Sequence, residues 1–135
     1  MTALHVRVRA GGEEYALSVR DVIEVAEVGR VTPVPGAPPA VVGVRNLRGA
    51  VLPVRDLAGM LGVPQPPSSR RIVVAEQGHL RAGLAVDSVI GVEELPPATE
   101  TADSRHVLGA VLADGALIGI VDVGSVLSSA QEALR

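Results

Sequence analysis

Polar and apolar positions alternate from the start of the chain, with Leu4, Val6 and Val8 separated by His5, Arg7 and Arg9. A period of two predicts a β-strand with one buried and one wet face. Gly11-Gly12-Glu13-Glu14 supplies a turn, and Tyr15–Val19 predicts the returning arm of a hairpin. Val-rich runs predict further strands near Ile23–Val28, Val41–Val44, Ala50–Val54, Arg71–Glu76, Arg81–Val86, Ile90–Leu95, Val107–Leu112 and Ala116–Val121. β-Branched residues suit a pleated, half-buried surface, and short strands at this spacing with Gly or Pro between them predict a barrel or sandwich. Two stretches have helical spacing instead. Asp56–Leu61 predicts one or two turns capped by Asp56 and stopped by Gly62. Asp122–Leu134 places Val123, Val126, Leu127, Ala130 and Leu134 on one face of an amphipathic terminal helix. Pro33–Pro39 and Pro64–Ser69 hold too many prolines for a central strand. The first predicts an extended connection, the second an exposed, mobile loop.

The pattern repeats. Leu17, Val19, Val22, Ile23, Val25 and Glu27 fall on Leu84, Val86, Val89, Ile90, Val92 and Glu94 at a shift of 67 residues. At a shift of 66, Gly43, Gly49, Ala50, Asp56 and Leu61 fall on Gly109, Gly115, Ala116, Asp122 and Leu127. Aliphatic identities are cheap in a Val-rich chain; the paired Gly and Asp positions carry more weight, because each asks for a particular backbone conformation. The repeat predicts two similar β-subdomains, each ending in a helix begun by Asp56 or Asp122. A half of about 67 residues is near the lower limit for independent stability, so the halves should share a core. Residues present in both halves are explained by the shared fold. Polar residues present in one half alone are better functional candidates: Glu24 matches Gly91, Asn46 matches Leu112 and Arg48 matches Asp114.

Composition narrows the function. The 135 residues include no Cys, Trp or Phe and one Tyr, so the core must be built from Val, Ala and Leu. A formal net charge of -3, with every basic residue an Arg, argues against a nucleic-acid partner, which calls for a basic stripe and stacking aromatics. Absent Cys removes disulfides and thiol chemistry. No apolar run approaches the ~18 residues of a membrane span, and the N-terminal stretch lacks a signal-peptide core, so a cytoplasmic protein without direct membrane insertion is expected.

Catalytic patterns are missing as well. His5, His79 and His106 stand apart and are expected as solvated surface residues, and there is no phosphate-binding glycine loop or nucleophile elbow. Glu13-Glu14 and Glu93-Glu94 are neighbours on strands or turns, where adjacent side chains point to opposite faces, so neither is a natural acid–base dyad.

The segment Val34-Pro35-Gly36-Ala37-Pro38-Pro39-Ala40-Val41-Val42-Gly43-Val44-Arg45-Asn46-Leu47-Arg48-Gly49, followed by Val51-Leu52-Pro53-Val54-Arg55-Asp56-Leu57, resembles the CheW family of chemotaxis coupling proteins. Tyr15-Ala16-Leu17 and Val22-Ile23-Glu24-Val25 upstream, and Gly83–Val89 and Leu117–Asp122 downstream, resemble other strands of that family. The resemblance runs from about Leu4 to Leu127, and its Pro-Gly-Ala-Pro, Asn-Leu-Arg-Gly and Pro-Val-x-Asp-Leu pieces keep the family's order.

The resemblance implies an all-β fold: two intertwined five-stranded SH3-like β-barrel subdomains sharing a hydrophobic core, with short helices and a C-terminal helix, in one CheW-like domain over residues 1–135. It implies a non-enzymatic adaptor that binds the regulatory domain of a chemotaxis histidine kinase and the cytoplasmic tip of a chemoreceptor. Such an adaptor needs no cofactor and no metal, reaches membrane receptor clusters only through its partners, and is a monomer or weakly self-associating without them. Carried over by position, Glu24 and Arg48 match the family's coupling residues, with Asn46 and Gly49 completing the turn. Val22, Val42, Val44 and Leu47 are candidates for apolar walls of a groove, or for core. Arg45 and Arg55 replace the family's usual aliphatics; they either extend a basic face around Arg48 or snorkel along the barrel. Family members also serve pilus motility and other chemosensory outputs. A small-ligand-binding β-barrel is the rival from another class.

Overall fold

The alternation predicted from the sequence is realised as eleven strands in the computed structural model, which describes residues 1–38, 40–63 and 71–132, the backbone alone at 100–104 and 130–132. The first half contains β1 (Ala3–Ala10), β2 (Glu13–Ser18), β3 (Val22–Glu27), β4 (Val41–Leu47), β5 (Ala50–Asp56) and the one-turn helix α1 (Leu57–Met60). The second contains β6 (Arg71–Gln77), β7 (Leu80–Val86), β8 (Ser88–Leu95), β9 (Glu100–Ser104), β10 (Val107–Ala113), β11 (Ala116–Val121) and the helix α2 (Val123–Glu132). The expected loop at Pro64–Ser69 and the end of the terminal helix at Leu134 lie outside the described residues.

One sheet runs β8-β1-β2-β11-β10-β9 and the other β3-β6-β7-β5-β4. Shifted by 66–67 residues, β3, β1, β2, β5 and β4 become β8, β6, β7, β11 and β10. The five-stranded order is therefore the same in both barrels, but each takes its leading hairpin from one half of the chain and three strands from the other. That exchange is the intertwining. It is sealed by two short parallel pairings, Ile120 with Ala16 and, at the equivalent place, Val54 with Gly83. β9 is a sixth strand on the edge of the first sheet, formed from the polar 100–104 stretch. Its counterpart in the other barrel shrinks to a bridge between Thr32 and Val44, because the prolines that follow Thr32 cannot donate to a ladder. Gly43 makes that bridge possible: with φ +153, a Cβ there would lie 2.2 Å from the Thr32 carbonyl oxygen.

Each barrel has its own apolar interior, Ala16, Leu95, Val111, Ile118 and Ile120 in one, Leu52, Val54, Ile72, Val74 and Ala85 in the other. Between them lies a larger cluster drawn from both: Val6, Val8, Tyr15, Leu17, Leu57, Val73, Leu84, Val86, Val126 and Leu127 among others. This shared core explains the slim, aromatic-poor composition. Each fully buried Val or Leu contributes about 1.5–3 kcal/mol, and three interleaved clusters offer many such positions to narrow side chains. α2 follows β11 of one barrel and packs on β5, β6 and β7 of the other, which fastens the two together. As expected, Asp56 and Asp122 begin the helices, accepting hydrogen bonds from the Gly59 N–H at 3.1 Å and the Ser125 N–H at 3.2 Å.

Two sequence expectations change, and one open choice is settled. His5 and Arg7 are not on a wet face: both are buried, Arg7 between Glu14 and Glu93 of the flanking strands, while Arg9 near the end of β1 stays exposed. His106 is buried too, while His79 is exposed as expected. Finally, neither Arg45 nor Arg55 extends a basic face. Arg45 donates to the Glu27 carbonyl at 2.6 Å, and buried Arg55 donates to the carbonyls of Ala40 at 3.4 Å and Ser129 at 3.2 Å, steadying α2.

Candidate functional site

The β4–β5 hairpin closes with Leu47 opposite Ala50, leaving Arg48 and Gly49 as a two-residue turn. Their φ values, 52° and 85°, are both positive, which is the type I′ geometry that matches the twist of paired strands. Gly49 adopts it freely, and the Asn46 side-chain oxygen accepts from the Gly49 N–H at 3.0 Å to fix the turn. Arginine does not adopt it freely: a left-handed conformation costs a residue with a Cβ roughly 1–2 kcal/mol. The equivalent turn of the other barrel, Asp114-Gly115, has the same φ of 52° at its first position, but Asp tolerates it better because its short side chain bonds locally. An arginine at Arg48 is thus held against local preference.

Arg48 leans from the turn across to β3, where its Nη1 donates to Glu24 Oε1 at 2.8 Å. The Arg48 side chain remains 77% exposed against 21% for Glu24, so the pair lies at the surface and adds only ~0–1 kcal/mol to stability. Beside it is a hollow of about 200 Å³ lined by Ile23, Glu24, Leu47, Val51, Val74 and Arg81, with Arg48 at its rim. Ile23 and Val51 are large exposed apolar side chains, Val51 at 71%. Arg81 is oriented by Glu76, whose Oε2 accepts from Arg81 Nε at 2.8 Å.

Of the residues singled out in the sequence, Glu24, Leu47 and Arg48 converge on this hollow, while Asn46 and Gly49 shape its edge. Val44 lies half-buried on β4 between its partners Pro53 and Thr32, and Val22 packs against the shared core; neither lines the hollow. Val42 packs on the interior of its own barrel. Ile23, Val51, Val74 and Arg81 were not singled out. Arg81 had a readable signal: at the repeat shift it stands where the other half has Glu14, a reversal of charge.

Among the described residues no group of His, Asp or Glu is placed to hold a metal. The buried His106 meets Ser125, Nδ1 to Oγ, at 2.7 Å, and the Ser125 hydroxyl donates to the Arg105 carbonyl at 3.0 Å. With its single proton committed there, the hydroxyl can only accept from an Nδ1–H, so the pair pins α2 rather than forming an activated nucleophile. Burial lowers the His106 pKa below its ordinary value, Arg105 and Arg55 add to the effect, and Asp122 opposes it.

The CheW-like domain family model matches residues 5–131. The chain belongs to the CheW family. It is 32% identical over 131 residues to the chemotaxis protein CheW of Rhizobium meliloti, covering 90% of this chain and 84% of that one. It is 31% identical over 135 residues to the protein FrzA of Myxococcus xanthus, covering 92% and 84%. It is 40% identical to the protein PilI of Pseudomonas aeruginosa over 90 residues, 65% of this chain, and spans about half (51%) of PilI's length. The crystal structure of the scaffolding protein TtCheW from Thermoanaerobacter tengcongensis superposes with a TM-score of 0.78 at 30% identity, covering 90% of each chain. The CheW family match encloses the whole hollow and its turn.

Proposed function

We propose that this CheW-family protein is a non-enzymatic adaptor that couples chemoreceptors to a histidine kinase in a chemotaxis-type pathway. The observation that carries the reading is the β3/β4–β5 face. An arginine is kept in a costly left-handed turn, it is oriented by Glu24, and exposed Ile23 and Val51 flank it. A strained exposed polar residue within an apolar patch is the arrangement expected of a docking surface, where a planar guanidinium fork meets a partner's acceptors. The residues proposed to carry docking are Glu24, Asn46, Arg48, Gly49, Val44 and Leu47, with Val22 supporting from the core. The partners are the regulatory domain of the kinase and the helical tip of a chemoreceptor, and through them the protein is brought to membrane receptor clusters. No described helix is long and apolar enough to cross a membrane by itself.

The alternative is the same adaptor chemistry serving another output, a pilus-motility or other chemosensory pathway. At this face the small-ligand reading is weaker, because a hollow of about 200 Å³ is below the ~300–1,000 Å³ of ordinary ligand pockets. The test is affinity capture of the kinase regulatory domain and of a receptor cytoplasmic fragment from the same organism. Arg48→Glu is expected to abolish capture while leaving the melting temperature nearly unchanged. Capture undiminished in Arg48→Glu, or no capture by the native protein, contradicts the reading.

A further inference from the structure

The two barrels solve the same hollow in opposite ways. In the first barrel the hollow is filled from within by Arg7, whose Nε donates to Glu14 Oε1 at 2.7 Å and whose Nη1 donates to Glu93 Oε1 at 2.9 Å. Asp114 Oδ2, on the turn equivalent to that of Arg48, stands 3.7 Å from the same Nη1. The repeat places Val74 at the position of Arg7, Arg81 at that of Glu14 and Arg48 at that of Asp114. The reversal extends to the cross-strand neighbours, since the Arg9–Glu14 pair of one barrel becomes Glu76–Arg81 in the other. In the second barrel, then, the rim carries two guanidinium groups, Arg48 with Glu24 beside it and Arg81, the internal plug is replaced by a short apolar side chain, and a hollow of about 200 Å³ opens to solvent.

We infer that this hollow is a carboxylate seat: it takes one Asp or Glu side chain of a partner segment, inserted between Arg48 and Arg81 with aliphatic neighbours resting on Ile23, Leu47 and Val51. The first barrel shows what such a hollow holds, a side chain of charge opposite to its rim, and two guanidinium forks favour the planar, two-oxygen geometry of a carboxylate. Glu24 and Glu76 orient the two arginines without occupying the hollow's floor, which Leu52 and Val74 form. Arg81 becomes a specificity-determining residue, the more so because its Nη1 is not engaged with Glu76. The identity of the partner rests on the adaptor reading; the seat itself does not.

Placing the guest on the protein's own chain tests the seat without a partner. Val74→Glu supplies a carboxylate from the floor, and Val74→Gln supplies the same shape without the charge. The introduced carboxyl is expected to titrate below the ordinary value of ~4.3, and the Glu variant to melt at least ~3 °C above the Gln variant at pH 7. A lowered folded-state pKa gives stability present above the ordinary value, so this difference should vanish as the pH falls below about 4. A carboxyl titrating at or above its ordinary value, a Glu variant no more stable than the Gln variant, or a Glu variant that alone fails to fold overturns the inference. Should neither variant fold, Arg81→Gln in the otherwise native chain decides. A loss of about tenfold or more in affinity for the kinase regulatory domain supports the seat, and unchanged affinity overturns it. If the Glu–Gln contrast holds but the native protein captures neither partner, the adaptor reading falls and the seat stands.

Discussion

Replacing Arg48 by glycine separates the cost of the turn from its use. Releasing a left-handed Cβ recovers roughly 1–2 kcal/mol. Against this, glycine adds chain entropy to the unfolded state, a loss of about 0.5–1 kcal/mol. The lost Glu24 pair removes another ~0–1 kcal/mol, since the arginine side chain is 77% exposed. The three effects largely offset one another, leaving a net change between about 1 kcal/mol of loss and about 1.5 kcal/mol of gain, or within some 6 °C in melting temperature for a chain of this size. Arg48→Asn is the matching control, because Asn tolerates the same φ without the glycine entropy. Calorimetric melting should therefore find both variants close to the native protein. Titration calorimetry with the kinase regulatory domain should find at least a tenfold loss of affinity in both, equivalent to about 1.4 kcal/mol. Binding within twofold of native, or a fall in melting temperature beyond about 8 °C, would refute the reasoning: the first moves the docking surface elsewhere, the second makes Arg48 a structural residue.

Three other perturbations probe the framework. Gly43→Ala drives a Cβ onto the Thr32 carbonyl, 2.2 Å away, and should destabilise the protein by about 3 kcal/mol or more in urea titrations, well beyond a typical single substitution. Arg7→Met strands Glu14 and Glu93 beside an apolar side chain; burial alone would lower the Arg7 pKa, but its hydrogen bonds and attraction to these carboxylates raise it, and the loss should be about 3 kcal/mol by the same assay. His106 carries a lowered pKa in the folded state, so its contribution is intact above the ordinary value of ~6.5 and is lost as the pH falls toward the folded value. A pH series of melting temperatures should thus be flatter below about 6.5 in His106→Gln than in the native protein, and an unchanged slope would contradict the buried-neutral assignment.

Strand positions, both helix starts and the repeat were legible because each rests on local chemistry: alternation, Asp caps and Gly turns. The exchange of hairpins between halves was not, because a repeat in sequence is equally compatible with barrels built from separate halves. Burial of Arg7 and His5 was missed for a related reason. Alternation marks two faces but does not say that positions on the second are buried, and in β1 Glu14, Glu93 and Asp114 make a charged residue tolerable there. At the docking face, Glu24 and Arg48 were readable as polar residues lacking a like partner in the other half. Arg81 was equally readable as a reversal of Glu14, but charge reversals look like surface drift until the structure places both residues at equivalent hollows. Ile23 and Val51 were read as ordinary strand residues, since their outward direction depends on the register of β3 and β5.

The central claim is that partners dock on the β3/β4–β5 face. Titrating ¹⁵N-labelled protein with the unlabelled kinase regulatory domain tests it directly by amide chemical-shift changes. The account predicts saturable shifts concentrated at Ile23–Val25, Asn46–Val51 and Arg81, abolished by Arg48→Glu. Shifts confined to the opposite barrel, at Ile90, Leu112 and Leu117, with this face undisturbed, would contradict it.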